Sequence, residues 1–511
     1  MLFLVLYQSN HVEGTNAACS NGAGGIVFTR ANAPVIAVLN SQNPGSYQVA
    51  STDQGTSGYK TAGSNNKSKV ERTENGCRQL VWRLTIKHWV LAAILAGATI
   101  RLALAAANLL HPSDALTYVQ ADNYTSAAES MRYTHDTTDP VFVPGYIFLV
   151  AVFQVCFGRY APAFLLLFEC LIGTACIPMM YSLARRIGGE ACGAATALLV
   201  AIDPLLVTRS SLVMTEAMYI PLLSAALLLF YMAVTCEQKV MRQWRLTVFS
   251  SVFMGGAMLV RTVGEIVPLA AVLALILAPS MALKRKSSLC LLIIATCFLM
   301  VLPLCWHNFH KYGHFAVSSS PKFNYAALVI GPAKRAVDTN DDPGLLAMWQ
   351  AELGERYKDL PPFVLADKAA HIASRWAFAH PGLTVRAILK GQMVMLFAPD
   401  RSAWTPGLSC LRLSAVKLRV FFTVVALFRL SLCLLALYTI LRTRNLFHSF
   451  WWQFWLVALI VGHVIVVGAA GEGRFIAPVS ALIDLLAAHG LISLYRQARD
   501  HGNDGIIAVP S

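Results

Sequence analysis

Ten long apolar stretches constrain this chain more than any other feature. They lie near 88–109, 160–183, 190–208, 211–233, 246–261, 264–280, 287–306, 418–441, 447–470 and 474–495. A helix rises about 1.5 Å per residue, so roughly 20 apolar residues cross a bilayer. Of the 511 residues 56% are hydrophobic and 13% charged, which excludes a set of soluble domains. The expected fold is all-α and polytopic, with about ten transmembrane helices and an upper count of 13. Two shorter apolar stretches, Pro144–Gly158 and Thr384–Pro399, read as juxtamembrane or half-buried helices.

The net charge of +14 reads as membrane orientation rather than nucleic-acid binding, because Lys and Arg gather on cytoplasmic loops. With ten crossings and a cytoplasmic N-terminus, short inner connections carry Arg185, Arg186, Lys239, Arg242, Arg245, Lys284, Arg285, Lys286, Arg442 and Arg444. Arg496 and Arg499 follow the last span. The short outer connections hold only Arg132, Arg159, Arg209, Arg261 and Arg474. Residues 1–80 are rich in Gly, Ser, Asn, Thr and Gln and read as poorly ordered. A transmembrane module at 81–306, an extracytoplasmic segment at 307–417 and a C-terminal group of spans at 418–511 complete the expected organisation. The 12 Cys show no CxxC pair and no metal-ligand spacing, and several lie in apolar runs as small hydrophobes.

This topology gathers ionisable groups on the outer face. The loop after the first span holds five carboxylates, Asp114, Asp122, Glu129, Asp136 and Asp139, against one basic residue, Arg132. Asp114, Tyr118 and Asp122 recur every four residues and share one face of a helix. A carboxylate there suits a general base. Glu216, Arg261 and Arg474 stand at the outer ends of three other spans, where an ionisable group is costly unless it is paired or functional. Arg159 and Arg209 read instead as snorkelling or capping residues.

The order of these pieces resembles the GT-C glycosyltransferases, and in particular glycosyltransferase family 39 with its bacterial relatives, the aminoarabinose transferases and protein O-mannosyltransferases. An outer-loop Asp precedes the stretch from Tyr124 through Ala128 to Met131. Pro144-Gly145-Tyr146 then opens a short apolar helix. Tyr181 to Gly188 is similar to the family's cytoplasmic turn. Asp203-Pro204 and Thr215-Glu216, Leu259-Val260-Arg261, Pro303 to Asn308 with Gly313 and Phe315, and Arg474-Phe475 with Pro478 follow in order. The resemblance covers roughly 85–495. It departs from the family pattern in the Asp register, since Asp122 precedes Tyr124 by only two residues, and in His307, where an Arg is common.

The resemblance implies transfer of a monosaccharide from a polyprenyl-phosphate donor to a lipid, glycan or protein acceptor, in the cytoplasmic membrane with the site facing the periplasm. Asp114 or Asp122 would be the base. Arg474 and Arg261 would meet the leaving phosphate, and Tyr118, Tyr124, Tyr146, Glu216 and Asn308 would line the substrate. Metal use varies in the family, so a divalent cation stays open, with His307 and His314 read as ordinary polar residues before ligands. Trp349, Trp376 and Trp404 stack on sugars or form an aromatic belt. A lipid-sugar flippase and a non-catalytic scaffold are the competing readings. The lack of an internal repeat between the halves counts against transport.

Overall fold

The computed structural model describes residues 63–110, 124–134, 143–236, 240–278, 281–326, 360–397, 404, 414–442, 450–467 and 475–504. The chain divides into two units, Met1–Lys69 and Val70–Ser511. In the first unit only the opening residues of one helix are described; the helical bundle belongs to the second. Every regular element among the described residues is helical, as the apolar periodicity predicts.

Helix α1 spans Gly63–Leu110. It begins well before 81, so residues 63–80 are helical and not the poorly ordered segment expected there. Lys67, Lys69, Glu71, Arg72, Arg78 and Gln79 are good helix formers, and they extend the apolar span backwards. Two juxtamembrane helices follow, α2 (Tyr124–Thr134) and α3 (Pro144–Phe157). A 3₁₀ turn, Gly158–Tyr160, leads from α3 into α4 (Ala161–Gly188). Arg185 and Arg186 occupy the last turn of α4, where positive charge complements the helix dipole. Gly189, at φ 87°, ends it by donating its N–H to the Arg185 carbonyl.

The stretch at 190–208 is two helices, α5 (Glu190–Ile202) and α6 (Pro204–Arg209). Asp203 makes the break: its carboxylate accepts the Leu205 N–H at 2.8 Å as the N-cap of α6, and Pro204 takes the first position. Next come α7 (Thr215–Val234), α8 (Val240–Val260), a 3₁₀ turn at Thr262–Glu265, α9 (Ile266–Leu277) and α10 (Leu283–Tyr312). Beyond them lie α11 (Ser320–Asn324), α12 (Pro362–Ala379), α13 (Pro381–Phe397), α14 (Ala415–Arg442), α15 (Phe450–Val467) and α16 (Ala477–Asp504).

Six described stretches are long and apolar enough to cross a membrane: Ile86–Leu109, Pro144–Gly188, Thr215–Val234, Leu283–Tyr312, Ala415–Arg442 and Ala477–Ala498. Three apolar helical stretches are shorter, Glu190–Ile202, Thr262–Leu277 and Trp452–Ile465. Each of the ten expected spans falls on one of these stretches or on α8, and the protein is a multi-pass membrane protein.

Helices α7 and α16 form the centre, with 67% and 72% of their spans buried, while α1, α10 and α14 are 28% buried and line the outside. Helix α16 packs against α14, α5, α7 and α15, and α7 against α8 and α4. Small residues allow the close approaches. A Cβ on Gly97 would lie 2.5 Å from Ile177 Cδ1, and one on Gly145 would run into the Leu259 carbonyl. Gly145 therefore lets the start of α3 sit on the last turn of α8, next to Arg261.

Two buried polar latches hold the bundle. Arg101 of α1 is 1% exposed and donates to the Val200 and Ala201 carbonyls at 3.1 Å each, so its guanidinium caps the C-terminus of α5. Arg429 of α14 pairs with Asp203 at 3.0 Å and donates to Ser480 of α16, whose hydroxyl also donates to Asp203. One carboxylate thus ties α5, α14 and α16 together and also starts α6. The Asp203-Pro204 element is in this respect a structural joint.

Candidate functional site

Helices α7 and α8 bring Glu216 and Arg261 together. Thr215 and Glu216 open α7, where a carboxylate favours the helix N-terminus. Arg261 follows the last residue of α8 in extended backbone, φ −146° and ψ 137°, which turns its side chain back over that helix end. Gly264 allows the tight turn, since a Cβ there would lie 2.7 Å from the Ala257 carbonyl. Arg261 forms an ion pair with Glu216 and donates to Thr215 Oγ1 at 3.0 Å. The Glu216 side chain is 2% exposed and that of Arg261 15%. The guanidinium lies over the Phe475 ring, 5.9 Å from its centroid.

Helices α2, α3 and α4 add a second wall. Tyr124, the first residue of α2, meets Tyr146 of α3 edge-on at 5.1 Å. Tyr146 is fully buried and donates its hydroxyl to Glu169 Oε1 of α4 at 2.6 Å. Among the described residues the other Glu169 oxygen has no hydrogen-bond partner. Glu169 and Glu216 are close enough for their carboxyl groups to interact. Beneath Glu216 by one turn of α7, Tyr219 pairs its hydroxyl with His463 Nε2 of α15 at 2.8 Å, and both are fully buried. The result is a polar cluster inside an apolar bundle: two carboxyl groups, one guanidinium, three tyrosines, a threonine and an imidazole.

Four expected site residues, Tyr124, Tyr146, Glu216 and Arg261, come together here. Asn308 does not join them in any described contact. Its amide donates to the Ala316 and Val317 carbonyls at 2.7 and 3.1 Å and ties down the chain after α10. Asp114, Tyr118, Asp122 and Arg474 lie outside the described residues, as does Trp349. Trp376 stacks on His380 at 4.8 Å, and Trp404 meets Phe421 edge-on at 5.1 Å. Among the described residues no three His, Cys, Asp or Glu side chains cluster as metal ligands. His314 stacks on Phe363 at 4.9 Å, and Glu216 is already engaged by Arg261.

Glu169 and His463 are the residues that sequence reading passed over. Each carried a signal, as a polar side chain inside an apolar stretch.

Residues 139–307 match the family model described as dolichyl-phosphate-mannose-protein mannosyltransferase. That segment is a glycosyltransferase-family domain. It contains Tyr146, Glu169, Glu216 and Arg261, and it bears out the resemblance read from the motif order. No curated protein matches the chain. Among solved structures, the oligosaccharyltransferase AglB from Archaeoglobus fulgidus, in complex with an inhibitory peptide and a dolichol-phosphate, is similar at 17% identity and a TM-score of 0.49. The match covers 83% of this chain and 53% of AglB, so the chain spans about half the length of that structure. ArnT from Cupriavidus metallidurans, bound to undecaprenyl phosphate, is similar at 16% identity and a TM-score of 0.35, over 82% of this chain and 79% of ArnT.

Proposed function

We propose that this protein is a membrane glycosyltransferase that moves a monosaccharide from a polyprenyl-phosphate donor to a lipid, glycan or protein acceptor. Its site faces the periplasmic side of the cytoplasmic membrane. The observation that carries this reading is the Arg261–Glu216–Thr215 group, set inside the segment that matches the glycosyltransferase family.

In the reaction, an acceptor hydroxyl attacks the anomeric carbon. The bond from that carbon to the lipid-phosphate oxygen breaks, and its electron pair stays on the phosphate. Asp114 or Asp122 takes the acceptor proton, a role worth about 10²–10⁴-fold. Negative charge grows on the leaving phosphate, and a guanidinium answers it because it is planar, bidentate and always charged. Arg261 is held for this by Glu216 and Thr215, and Arg474, which directly precedes Phe475 in sequence, is the second guanidinium assigned to the phosphate. Preorganised charge of this kind is often the largest catalytic term. Tyr124 and Tyr146 offer ring faces and edges to a sugar, with Glu169 fixing the Tyr146 hydroxyl.

The test is transfer of radiolabelled sugar from a panel of undecaprenyl- and dolichyl-phosphate monosaccharides by purified protein in lipid, with a membrane extract as acceptor. Transfer should vanish in Arg474→Ala and in the Asp114→Asn/Asp122→Asn double variant. Folded protein that transfers from no lipid-linked donor sinks the proposal.

A further inference from the structure

A cleft lies along the same juxtamembrane helices, away from the pair described above. It has a volume of about 430 Å³ and is bounded by α2, α3, the 3₁₀ turn and the start of α4, within the size range of ligand pockets. Its apolar floor includes Val150, Leu165 and Val213, and Glu129, Arg132 and Arg159 stand around it. On α3, Val150 and Gln154 follow Tyr146 by four and eight residues, which places the cleft about 6–12 Å along the helix from that tyrosine.

Three observations point to an occupant. Gln154 is 9% exposed; its amide donates to the Thr125 carbonyl at 3.3 Å, and among the described residues its Oε1 has no hydrogen-bond partner. A buried acceptor of this kind costs free energy unless a donor fills it. Second, the described lining holds two guanidinium groups, Arg132 and Arg159, and one carboxylate, Glu129, and among the described residues neither guanidinium is bridged by a carboxylate. Third, the cleft opens beside an aromatic collar. Phe157 stacks on Phe164 at 4.3 Å, and Tyr160, 55% exposed, accepts a hydrogen bond from Arg159 Nη2 at 2.7 Å. Aromatic rings joined to a snorkelling arginine mark the headgroup level of a bilayer. This collar sits at the end of α4 opposite Arg185 and Arg186.

We infer that this cleft binds the phosphate headgroup of a membrane phospholipid. Arg132 and Arg159 take the phosphate oxygens, Gln154 Oε1 accepts a headgroup hydroxyl or ammonium hydrogen, and the first acyl carbons lie on Val150, Leu165 and Val213. The shared chemistry is phosphate recognition. The apolar floor next to the headgroup level selects a lipid over the free anion. Sugar transfer plays no part in this inference.

The experiment titrates delipidated full-length protein in detergent with phosphatidylglycerol, with diacylglycerol, which lacks the phosphate, and with inorganic phosphate, and follows the bound species by native mass spectrometry. Saturable phosphatidylglycerol binding is expected, weakened about tenfold or more in Arg132→Glu/Arg159→Glu, with diacylglycerol and inorganic phosphate binding far less tightly. Both positions are exposed, so the double variant retains the helical circular dichroism of the parent. A Gln154→Leu variant, which removes the buried acceptor, should weaken binding in the same direction. Phosphatidylglycerol binding unchanged in both variants overturns the inference. So does inorganic phosphate binding as tightly as the lipid, which would assign the cleft to the free anion.

Discussion

Removing one member of the Arg261–Glu216 pair should cost more than removing both. In Arg261→Met, Glu216 keeps a carboxylate whose side chain is only 2% exposed but loses its arginine, and removing one partner of a buried ion pair usually costs about 3–5 kcal/mol. In Glu216→Gln the loss is smaller, because the Arg261 side chain is 15% exposed and a long arginine can turn its head toward water. The double variant leaves neither charge stranded. A double-mutant cycle on unfolding in mixed micelles should therefore return an interaction energy of about 2 kcal/mol, inside the ~0.5–3 kcal/mol span of directly coupled residues. Sugar transfer should not recover with stability, since the double variant has lost the guanidinium. An interaction energy under about 0.5 kcal/mol would show that the pair is solvated and contributes little. A double variant that transfers sugar at the parental rate would remove Arg261 from the site.

Four further outcomes are expected. Tyr146→Phe removes the 2.6 Å hydrogen bond to Glu169 and leaves a fully buried carboxyl group without it; the cost is about 1–3 kcal/mol, read as a lowered unfolding midpoint. Gly145→Ala drives a methyl group into the Leu259 carbonyl, so transfer activity should fall several-fold as α3 moves off the last turn of α8, while circular dichroism stays helical. Asp203→Asn should destabilise strongly, by about 3–5 kcal/mol, because Arg429 then keeps a buried charge. Asp484→Asn should be neutral or slightly stabilising. Asp484 is close enough to Asp203 for the two carboxyl groups to interact, and among the described residues neither of its oxygens accepts a hydrogen bond, so an amide there relieves two neighbouring carboxyl groups and can donate to Asp203.

Span positions were legible because apolar length is a one-dimensional property. The breaks within spans were legible only where a punctuating residue stood, as at Asp203-Pro204. The meeting of Glu216 with Arg261 was suggested by their common place at outer span ends, but the pairing itself depends on how α7 lies against α8, which no local pattern encodes. Glu169 illustrates the opposite case. It is the one carboxylate in the stretch 160–183, and its expense in lipid was a sufficient signal. The opening helix shows a different limit: polar composition at 63–80 reads as disorder, yet those residues are good helix formers continuous with an apolar span. Asn308 fits the motif order, but its amide is used to fasten the chain after α10.

The two buried Arg–carboxylate pairs show how one chemistry divides between holding the fold and serving a ligand. Arg429 and Asp203 have side chains 2% and 0% exposed, and Ser480 and the Leu205 N–H occupy further positions around the same carboxylate. No solute reaches that guanidinium without opening α14 from α16, so its energy goes into helix association. Arg261 is linked to Glu216 and Thr215, its side chain is 15% exposed, and its guanidinium lies 5.9 Å from the Phe475 ring. A guanidinium has five donors in a fixed fork, and the Glu216 and Thr215 contacts both use Nη1. Donors remain for a phosphate without breaking the pair. In the proposed reaction Glu216 would hold the cation in place before the donor arrives, so little ordering would be left for the transition state to impose. This difference in access, more than the presence of buried charge, favours Arg261 over Arg429 and Arg101 as the residue that meets a leaving phosphate.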